Sequence, residues 1–341
     1  MKFPVRYDCE NGTVILNKAT ISPRKGIRGD DVIIFAGGFR DRRLWERLKR
    51  TRDPTQLWVF NTDESPLTTM EYIPPRKYRS KINFNLTFTY HSRSAISIPY
   101  GQFTLFEKPH SSNESGVAEI DYHSLRPKFV AWISSHCSTI SWDRTRFVKD
   151  LSYYLPIDKF GKCGDLECAR KNQSCPEIFK QYKFILAFEN SCCPEYITEK
   201  FWRTLRGTEN VPVVIGANKE DYERLGPPNS FVYAGDFESM QSLADYLNKV
   251  AEDPKLYNSF FKWKSIGRIR ESDFSDRRIV YRDSMCHLLE FVKKQRNSKE
   301  NSAGEGWDLY DSSWLGGCKG CSNKEWIRKY NKSAGSRFTF N

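Results

Sequence analysis

The chain has 341 residues, enough for two domains, and its 39% hydrophobic and 14% aromatic content is that of a folded protein rather than a disordered one. Lysine and arginine exceed aspartate and glutamate by 54 − 42 = 12 charges, which favours an anionic partner such as nucleic acid, anionic lipid, sulfated glycan or the pyrophosphate of a nucleotide sugar. The basic residues are dispersed, and no zinc-finger spacing, RNA-binding aromatic signature or helix-turn-helix pattern is present, so nucleic acid is disfavoured.

In chain order, the apolar pattern predicts short buried strands that alternate with amphipathic helices. The predicted strands lie at residues 32–35, 57–60, 129–133, 184–188, 211–215 and 231–233. The predicted helices lie at 40–50, 142–154, 195–206, 219–225, 240–251 and 286–294. Because strand-then-helix order builds parallel sheets covered by helices, the sequence predicts an α/β fold.

A polar stretch at residues 111–116 interrupts this pattern between two strand-rich halves, which predicts a domain boundary near residue 126. We therefore expect a first domain at 1–126, a second at 127–294 and a C-terminal tail at 295–341. The tail is polar up to residue 306 and then carries three tryptophans and the last two cysteines, so we expect a disulfide to hold it.

Ten cysteines, several of them close together, indicate an oxidising compartment. Zinc is the competing explanation, but a zinc site needs four ligands, and the closely spaced cysteines near the C-terminus have no obvious second pair. The candidate disulfide cysteines are Cys163, Cys168, Cys175, Cys286, Cys318 and Cys321. Cysteine spacing does not give their connectivity.

Five Asn-x-Ser/Thr acceptors also point to the secretory lumen, at Asn11, Asn85, Asn113, Asn172 and Asn331. No apolar run approaches the roughly 20 residues of a membrane span, and Met1 does not begin a signal peptide. We therefore expect a lumenal fragment, a product with an unusual start, or a chain that is not secretory.

The most informative stretch, residues 183–202, reads as a buried strand, a polar loop and a helix, an arrangement that can hold a pyrophosphate at the helix N-terminus. If the helix begins near Pro194, then Tyr196, Glu199 and Lys200 share one face. Lys200 can neutralise phosphate, Glu199 can accept hydrogen bonds from a ribose diol, and Tyr196 or Asn190 can supply neutral hydrogen bonds. The alternative interpretation is a surface helix in which Glu199 pairs with an arginine one turn later.

Three motifs in this region resemble the donor-binding signature of the α1,3-fucosyltransferases of glycosyltransferase family 10: Phe-Glu-Asn-Ser at 188–191, Tyr-Ile-Thr-Glu-Lys at 196–200 and Val-Pro-Val-Val-Ile-Gly at 211–216. The resemblance covers roughly residues 28–290, and the Gly-Lys-Cys-Gly stretch at 161–164 looks most similar to invertebrate members. It implies a GT-B arrangement, in which two Rossmann-like lobes face each other across an active-site cleft. The second lobe is expected to hold the donor and the first lobe the acceptor.

The resemblance also implies a reaction, the inverting transfer of L-fucose from GDP-β-L-fucose in α1,3 linkage to GlcNAc of glycoprotein glycans, at the N-glycan core or the antennae. Glu64 matches the family's catalytic base, with Asp63 as the neighbour that could be confused with it. Arg144 matches the phosphate-binding arginine, for which Arg146 is the neighbouring alternative.

Tyr90 and Arg93 stand where relatives show Tyr-Arg-Arg and are implied to contact the donor. This chain departs from that pattern by placing His91 and Ser92 between them. The plain interpretation of His91 is a histidine in a surface loop. Relatives also carry a further strand and helix before the first matched strand, so we expect a shortened first lobe.

The implied partners are GDP-fucose and a GlcNAc-containing acceptor on glycoprotein or glycolipid, and the implied location is the Golgi, with a membrane anchor that this chain does not carry. No Asp-x-Asp occurs, so we expect no required metal, and stimulation by Mn²⁺ or Mg²⁺ stays open. Two other classes compete: a catalytically inactive, fucosyltransferase-like glycan-binding protein, and a basic module that binds nucleic acid or heparin.

Overall fold

The computed structural model describes residues 4–18, 27, 31–36, 39, 41–78, 81–108, 120–138, 141–168, 175–271, 277–297, 307–311 and 314–331. Within these residues the strands are β1 (Val5–Cys9), β2 (Gly12–Leu16), β3 (Val32–Ala36), β4 (Leu57–Thr62), β5 (Leu86–Thr89), β6 (Ile96–Ser97), β7 (Gly101–Leu105), β8 (Lys128–Ile133), β9 (Ile157–Phe160), β10 (Tyr182–Phe188), β11 (Val211–Ile215), β12 (Val232–Tyr233) and β13 (Gly267–Glu271). The α-helices are α1 (Arg42–Thr51), α2 (Pro66–Thr69), α3 (Arg144–Leu151), α4 (Cys175–Phe179), α5 (Glu199–Arg206), α6 (Lys219–Leu225), α7 (Met240–Glu252), α8 (Pro254–Ser259), α9 (Arg277–Asn297) and α10 (Glu325–Arg328).

The chain divides into two compact units, the first formed by Met1–Pro99 with Ser272–Gly317 and the second by Tyr100–Glu271 with Cys318–Asn341. Each unit contains a parallel sheet. The predicted α/β class, with largely parallel sheets in two Rossmann-like units, is therefore confirmed. In the described part of the chain, no helix combines the length and the apolarity needed to cross a membrane.

The first unit is built on a four-stranded parallel sheet in the order β3-β4-β5-β6. One face packs against α9 and the β1-β2 hairpin through Val59, Leu86 and Met285. The other face carries aromatic rings, with Phe35 lying 5.5 Å from Trp45 between ring centroids. Burial on both faces explains why residues 32–35 of β3 and 57–60 of β4 are continuous apolar runs.

The second unit is built on a five-stranded parallel sheet in the order β12-β11-β10-β8-β9. Every residue of the central strand β10 is buried. Successive side chains face opposite sides, so Leu186 joins the core that contains Phe147 of α3, and Ala187 joins the core that contains Phe201 of α5. The strand order reverses between β8 and β10, which makes this pair the topological switch point of a doubly wound sheet.

Two segments lie in different units from those predicted. Helix α9, predicted to end the second domain, belongs to the first unit because it packs on β1 and β2 and is joined to them by the Cys9–Cys286 disulfide. Residues 101–105, which the prediction placed in the first domain without assigning a strand, form β7 in the second unit, where this strand pairs antiparallel with β13. Gly101 in β7 lies directly against the indole of Trp202, which leaves no room for a β-carbon.

All ten cysteines are paired, including the six predicted candidates. The pairs are Cys9–Cys286, Cys137–Cys163, Cys168–Cys175, Cys192–Cys321 and Cys193–Cys318. The last two join neighbouring cysteines after β10 to the C-terminal segment, and we call them the tail disulfides. They hold the part of the tail from Cys318 onward to the second unit, in line with the expected disulfide, whereas the part of the predicted tail up to Gly317 belongs to the first unit.

Three of the five predicted glycosylation acceptors lie in the described residues. Asn11 is exposed at the turn of the β1-β2 hairpin. The Oδ1 atom of Asn85 accepts a backbone N–H at 2.8 Å and an arginine at 3.0 Å, and Oδ1 of Asn331 accepts a backbone N–H at 3.3 Å, so both amides contribute to the fold. Asn113 and Asn172 lie outside the described residues. Modification of all five stays a prediction.

Candidate functional site

The candidate site lies at the carboxyl ends of β8 and β10, where the second sheet has its switch point. Ligands of open α/β sheets bind in the crevice outside the carboxyl ends of the strands at such a point. The loop after β8 leads to α3, and the loop after β10 leads to α5. These two loops and the first turns of α3 and α5 carry five of the seven residues that the sequence assigns to the donor.

Arg144 is brought to this point by the start of α3, where the Asp143 side chain caps the helix by accepting the Arg146 N–H. The Arg144 guanidinium is buried and donates to the carbonyl of Phe188 at 3.0 Å and to that of His136 at 2.9 Å. It therefore joins the end of β10 to the loop after β8. Arg146 instead has an exposed side chain, 3.9 Å from an aspartate on the same helix.

Burial lowers the pKa of the Arg144 guanidinium, and the nearby Glu189, Tyr196 and Glu199 oppose that shift. An arginine stays protonated under these conditions, so the site keeps a buried positive charge. A buried, oriented guanidinium is well suited to a pyrophosphate, because its donors match phosphate oxygens in pairs.

The loop after β10 does not continue into a helix at Pro194, so the prediction of a helix start there is wrong. Helix α5 begins at Glu199, with Thr198 as its N-cap. Glu195 adopts φ 54°, and its N–H donates to the Asp221 carboxylate at 2.9 Å, which holds the segment outside helical geometry.

Tyr196 consequently does not share a helix face with Glu199 and Lys200, contrary to the prediction. Its side chain is only 1% exposed, and its ring lies edge-on to that of Tyr100 at 6.4 Å. Contact between Tyr196 and a bound donor therefore stays a prediction.

A fully buried carboxylate, Glu189, forms the centre of the site. Its Oε1 accepts the Thr198 N–H at 2.8 Å, and its two oxygens accept the Thr198 hydroxyl at 2.9 and 2.8 Å. The Lys200 ammonium donates to Oε2 of Glu189 at 3.0 Å and to the Thr198 hydroxyl oxygen at 2.8 Å. The sequence prediction missed Glu189, although an acid directly after the apolar run at 184–188 was a signal that could have found it.

Charge and burial act against each other in this cluster. Desolvation raises the pKa of the Glu189 carboxyl, and the Lys200 charge opposes that shift. Desolvation lowers the pKa of the Lys200 ammonium, but attraction to Glu189 and Glu199 outweighs it, so its pKa is raised overall. Lys200 is therefore a firmly protonated cation at the carboxyl end of β10.

Two further predicted donor residues flank the cluster. The Glu199 carboxylate is 42% exposed and 3.5 Å from the Lys200 ammonium, so it remains accessible to a diol. Asn190 is half-buried, and its backbone carbonyl accepts the Ser141 hydroxyl at 3.2 Å, which links the two loops.

The first unit presents the other predicted residues at the carboxyl edge of its own sheet. Glu64 follows β4 and is half-buried, and its backbone N–H donates to the hydroxyl oxygen of Thr62 at 3.0 Å. The adjacent β5 is followed by Tyr90, which is 3% exposed with its ring 5.5 Å from that of Trp314, and by Arg93, which is exposed. The first unit thus brings Glu64, Tyr90 and Arg93 to neighbouring strand ends.

His91 is not in a surface position, so the plain interpretation made from the sequence is wrong. Its side chain is buried, and its Nδ1 accepts the Arg93 N–H at 3.1 Å. The histidine therefore fixes the turn that carries Arg93.

A cavity of about 380 Å³ lies elsewhere in the first unit, between residues 74–84 and 307–310. Phe84 in its wall precedes β5, whereas Tyr90 follows that strand, so the cavity and Tyr90 lie at opposite ends of β5. None of the predicted catalytic or donor-binding residues lines it. Among the described side chains, no group of three or more His, Cys, Asp or Glu could hold a metal ion.

A family model described as "Fucosyltransferase, N-terminal" matches residues 8–101, and one described as "Glycosyltransferase family 10 (fucosyltransferase) C-term" matches residues 123–306, more than half of the chain. A crystal structure of an alpha1,3-fucosyltransferase with GDP-fucose aligns over 82% of this chain and 94% of that chain, with 15% identity and a TM-score of 0.49.

Curated relatives include two proteins of Drosophila melanogaster. Glycoprotein 3-alpha-L-fucosyltransferase A is 33% identical over 290 residues, which are 84% of this chain and 53% of that protein. Alpha-(1,3)-fucosyltransferase C is 36% identical over 237 residues, which are 65% of this chain and 53% of that protein. The chain thus spans about half the length of these curated relatives.

Proposed function

This chain belongs to glycosyltransferase family 10, and from that premise we propose that it transfers L-fucose from GDP-β-L-fucose, with inversion, in α1,3 linkage to GlcNAc of glycoprotein glycans. The proposed acceptor is the N-glycan core or an antenna. Relatives named as α1,3-fucosyltransferases support the linkage and the transferred sugar. The proposed setting is the Golgi lumen, in keeping with ten paired cysteines.

One observation carries the proposal: two cations, the buried Arg144 and the largely buried Lys200, lie at the switch point of the second sheet with their side chains fixed by hydrogen bonds. A nucleoside diphosphate is the ligand class that such a pair suits, because both cations can pair with its oxygens. Glu199, exposed beside Lys200, is suited to accept hydrogen bonds from the ribose hydroxyls.

In the proposed reaction the acceptor hydroxyl oxygen attacks C1 of fucose from the face opposite GDP. The Glu64 carboxylate takes the hydroxyl proton as the new C1–O bond forms. The bond from C1 to the β-phosphate oxygen breaks, and its electron pair leaves with GDP. Arg144 and Lys200 stabilise the negative charge that grows on the departing diphosphate.

The proposal includes no required metal, because Arg144 and Lys200 already supply positive charge at the diphosphate position. Stimulation by Mn²⁺ or Mg²⁺ is tested by adding each ion, and separately EDTA, to the same assay. Loss of all turnover in EDTA, with recovery on adding Mn²⁺, would contradict this part of the proposal.

The test is GDP release from GDP-fucose by the purified chain with a panel of N-glycan and LacNAc acceptors. We expect Glu64→Ala to lower kcat at least about 100-fold while GDP binding is kept, since a general base contributes about 10²–10⁴-fold. Lys200→Ala is expected to weaken GDP binding, whereas Arg146→Ala, which alters an exposed arginine on α3, serves as the matched control. A folded protein that releases no GDP with any acceptor but binds glycans would support the inactive glycan-binding alternative instead.

A further inference from the structure

The carboxylate of Glu189 contacts both the Lys200 ammonium and Thr198, the N-cap of α5. It is fully buried and receives four hydrogen bonds from three donors, the Thr198 N–H, the Thr198 hydroxyl and the Lys200 ammonium, all at 2.8–3.0 Å. Burying an ionised carboxylate is strongly unfavourable unless it is paired and hydrogen-bonded. A chain that keeps such a group at this point has a use for it beyond filling space.

Capping of α5 is not that use. The hydroxyl oxygen of Thr198 already caps the helix by accepting the Lys200 N–H. Threonine and serine act as N-caps without the help of a second, acidic side chain. What Glu189 adds is a fixed anchor for the Lys200 ammonium, which it holds at 3.0 Å.

The surrounding chain makes room for this anchor. The Glu189 N–H donates to the Ile215 carbonyl at 2.9 Å, and Gly216 follows directly. A β-carbon at position 216 would stand 2.7 Å from Cγ of Glu189 and 2.8 Å from the Tyr222 hydroxyl. Absence of a side chain at Gly216 therefore lets the Glu189 side chain occupy its buried position.

We propose that Glu189 is a positioning residue for donor binding, which fixes the Lys200 ammonium so that it meets the diphosphate of GDP-fucose in one orientation. The inference rests on the proposed function. An ammonium has three donors; two are taken by Glu189 and Thr198, and the third remains for a phosphate oxygen or for Glu199 at 3.5 Å. The Lys200 side chain held by this anchor has already lost its rotamer freedom, whereas an unanchored lysine would lose it on binding GDP-fucose.

The test measures GDP binding by isothermal titration calorimetry, together with the KM of GDP-fucose and of the acceptor. Glu189→Gln keeps the size of the side chain and one acceptor oxygen but removes the charge. We expect it to raise the Kd of GDP and the KM of GDP-fucose about tenfold, a shift the size of one well-placed charged hydrogen bond, and to leave the acceptor KM unchanged.

A merely structural role would give a different pattern. Lys183→Met is the matched control, because Lys183 is buried, lies at the opposite end of β10 and donates to two carbonyls at 2.9 and 2.7 Å. We expect this control to lower the melting temperature and leave the Kd of GDP unchanged. If Glu189→Gln does the same, lowering stability without changing GDP affinity, the inference is overturned.

A double-mutant cycle supplies the second readout. In a Lys200→Met background, Glu189→Gln should change the Kd of GDP by less than twofold, because the anchored group is gone. An undiminished tenfold effect there would show that Glu189 acts through another group. If Glu189→Gln does not fold, Thr198→Val removes the hydroxyl between the two residues and is expected to raise the Kd about threefold to tenfold; an unchanged Kd overturns the inference.

Failure of this inference is separable from failure of the proposed function. A wild-type chain that does not bind GDP refutes the proposed donor site and the positioning role together. A wild-type chain that binds GDP and turns over GDP-fucose, beside a Glu189→Gln variant of equal affinity, refutes only the positioning role.

Discussion

Replacing Gly216 by alanine tests whether the packing behind the donor site sets its geometry. The added β-carbon would stand 2.7 Å from Cγ and 3.0 Å from Cβ of Glu189, and 2.8 Å from the Tyr222 hydroxyl. Both neighbours are fully buried, with 0% exposure, so neither can move aside into solvent. Carbon–carbon contact is optimal at about 3.5–4.0 Å, so the two side chains must give way by several tenths of an ångström.

Overpacking of this kind costs about 1–3 kcal/mol of unfolding free energy. For a domain of roughly 150–250 residues each kcal/mol shifts the melting temperature by about 2–4 °C, so we expect a fall of about 2–12 °C. Because the displaced group is the anchor of Lys200, the KM of GDP-fucose should rise as well, by about threefold to tenfold, when measured well below the melting temperature.

The matched control is Gly207→Ala at the C-terminal end of α5. A β-carbon there would stand 3.0 Å from the Arg203 carbonyl oxygen, with the next nearest atoms of that residue at 3.8 Å, and Gly207 has the right-handed helical conformation. We expect a change of less than about 1 kcal/mol in unfolding free energy, with an unchanged donor KM. If both variants keep the wild-type melting temperature and donor KM, the packing around Gly216 does not fix the position of the Glu189 side chain, and the reasoning is refuted.

Three other predictions follow. The two tail disulfides join residues 129 and 125 positions apart, so either one alone closes a loop of more than 120 residues. Once one of them has formed, the other adds a loop of only a few residues, because their cysteines are near neighbours at both ends. Removing either should therefore cost about 2 kcal/mol and removing both about 7, a non-additivity that urea unfolding of the single and double variants measures. Arg144→Lys should lower the melting temperature and raise the donor KM, because one ammonium cannot satisfy two carbonyls in the guanidinium geometry, whereas Arg146→Lys should change neither quantity. Hydrogen bonds from Tyr78 and Lys49 lower the pKa of Glu46 to about 2. The ionised Glu46 carboxylate therefore stabilises the folded state fully above about pH 5, and this contribution is lost as pH falls toward 2. Glu46→Gln should make the unfolding free energy fall less steeply over that pH range.

The strands of the second sheet could be predicted from sequence because they are buried on both faces. Residues 184–188 of β10 and 211–215 of β11 are continuous apolar runs, and a strand of that kind can be predicted without information about its neighbours. The start of α5 could not be predicted in the same way. Proline at 194 and the spacing that follows are compatible with a helix, but the bond from Glu195 to Asp221 and the disulfides at the two preceding cysteines hold the segment as a loop.

The limits of the two units depend on partners that are distant along the chain. Helix α9 is joined to the first unit by a disulfide that spans 277 residues, and β7 finds its partner β13 more than 160 residues later. Local composition carries no trace of either pairing. A polar stretch near 111–116 therefore indicated a boundary that the long-range contacts place elsewhere.

The choice between Arg144 and Arg146 shows what local geometry adds to a resemblance. Both are arginines in the first turn of α3, and spacing alone does not separate them. With Asp143 as the N-cap of α3, Arg144 faces the sheet and hydrogen-bonds to the end of β10, whereas Arg146 faces solvent.

The net charge of the chain does not locate the donor site either. The candidate donor cluster holds two cations, Arg144 and Lys200, and two carboxylates, Glu189 and Glu199, so its formal charges sum to 2 − 2 = 0, and the chain's excess of 12 positive charges does not locate it. A neutral cluster can favour a diphosphate only through the orientation of its donors, which is why the groups that hold Arg144 and Lys200 in place matter as much as the cations themselves.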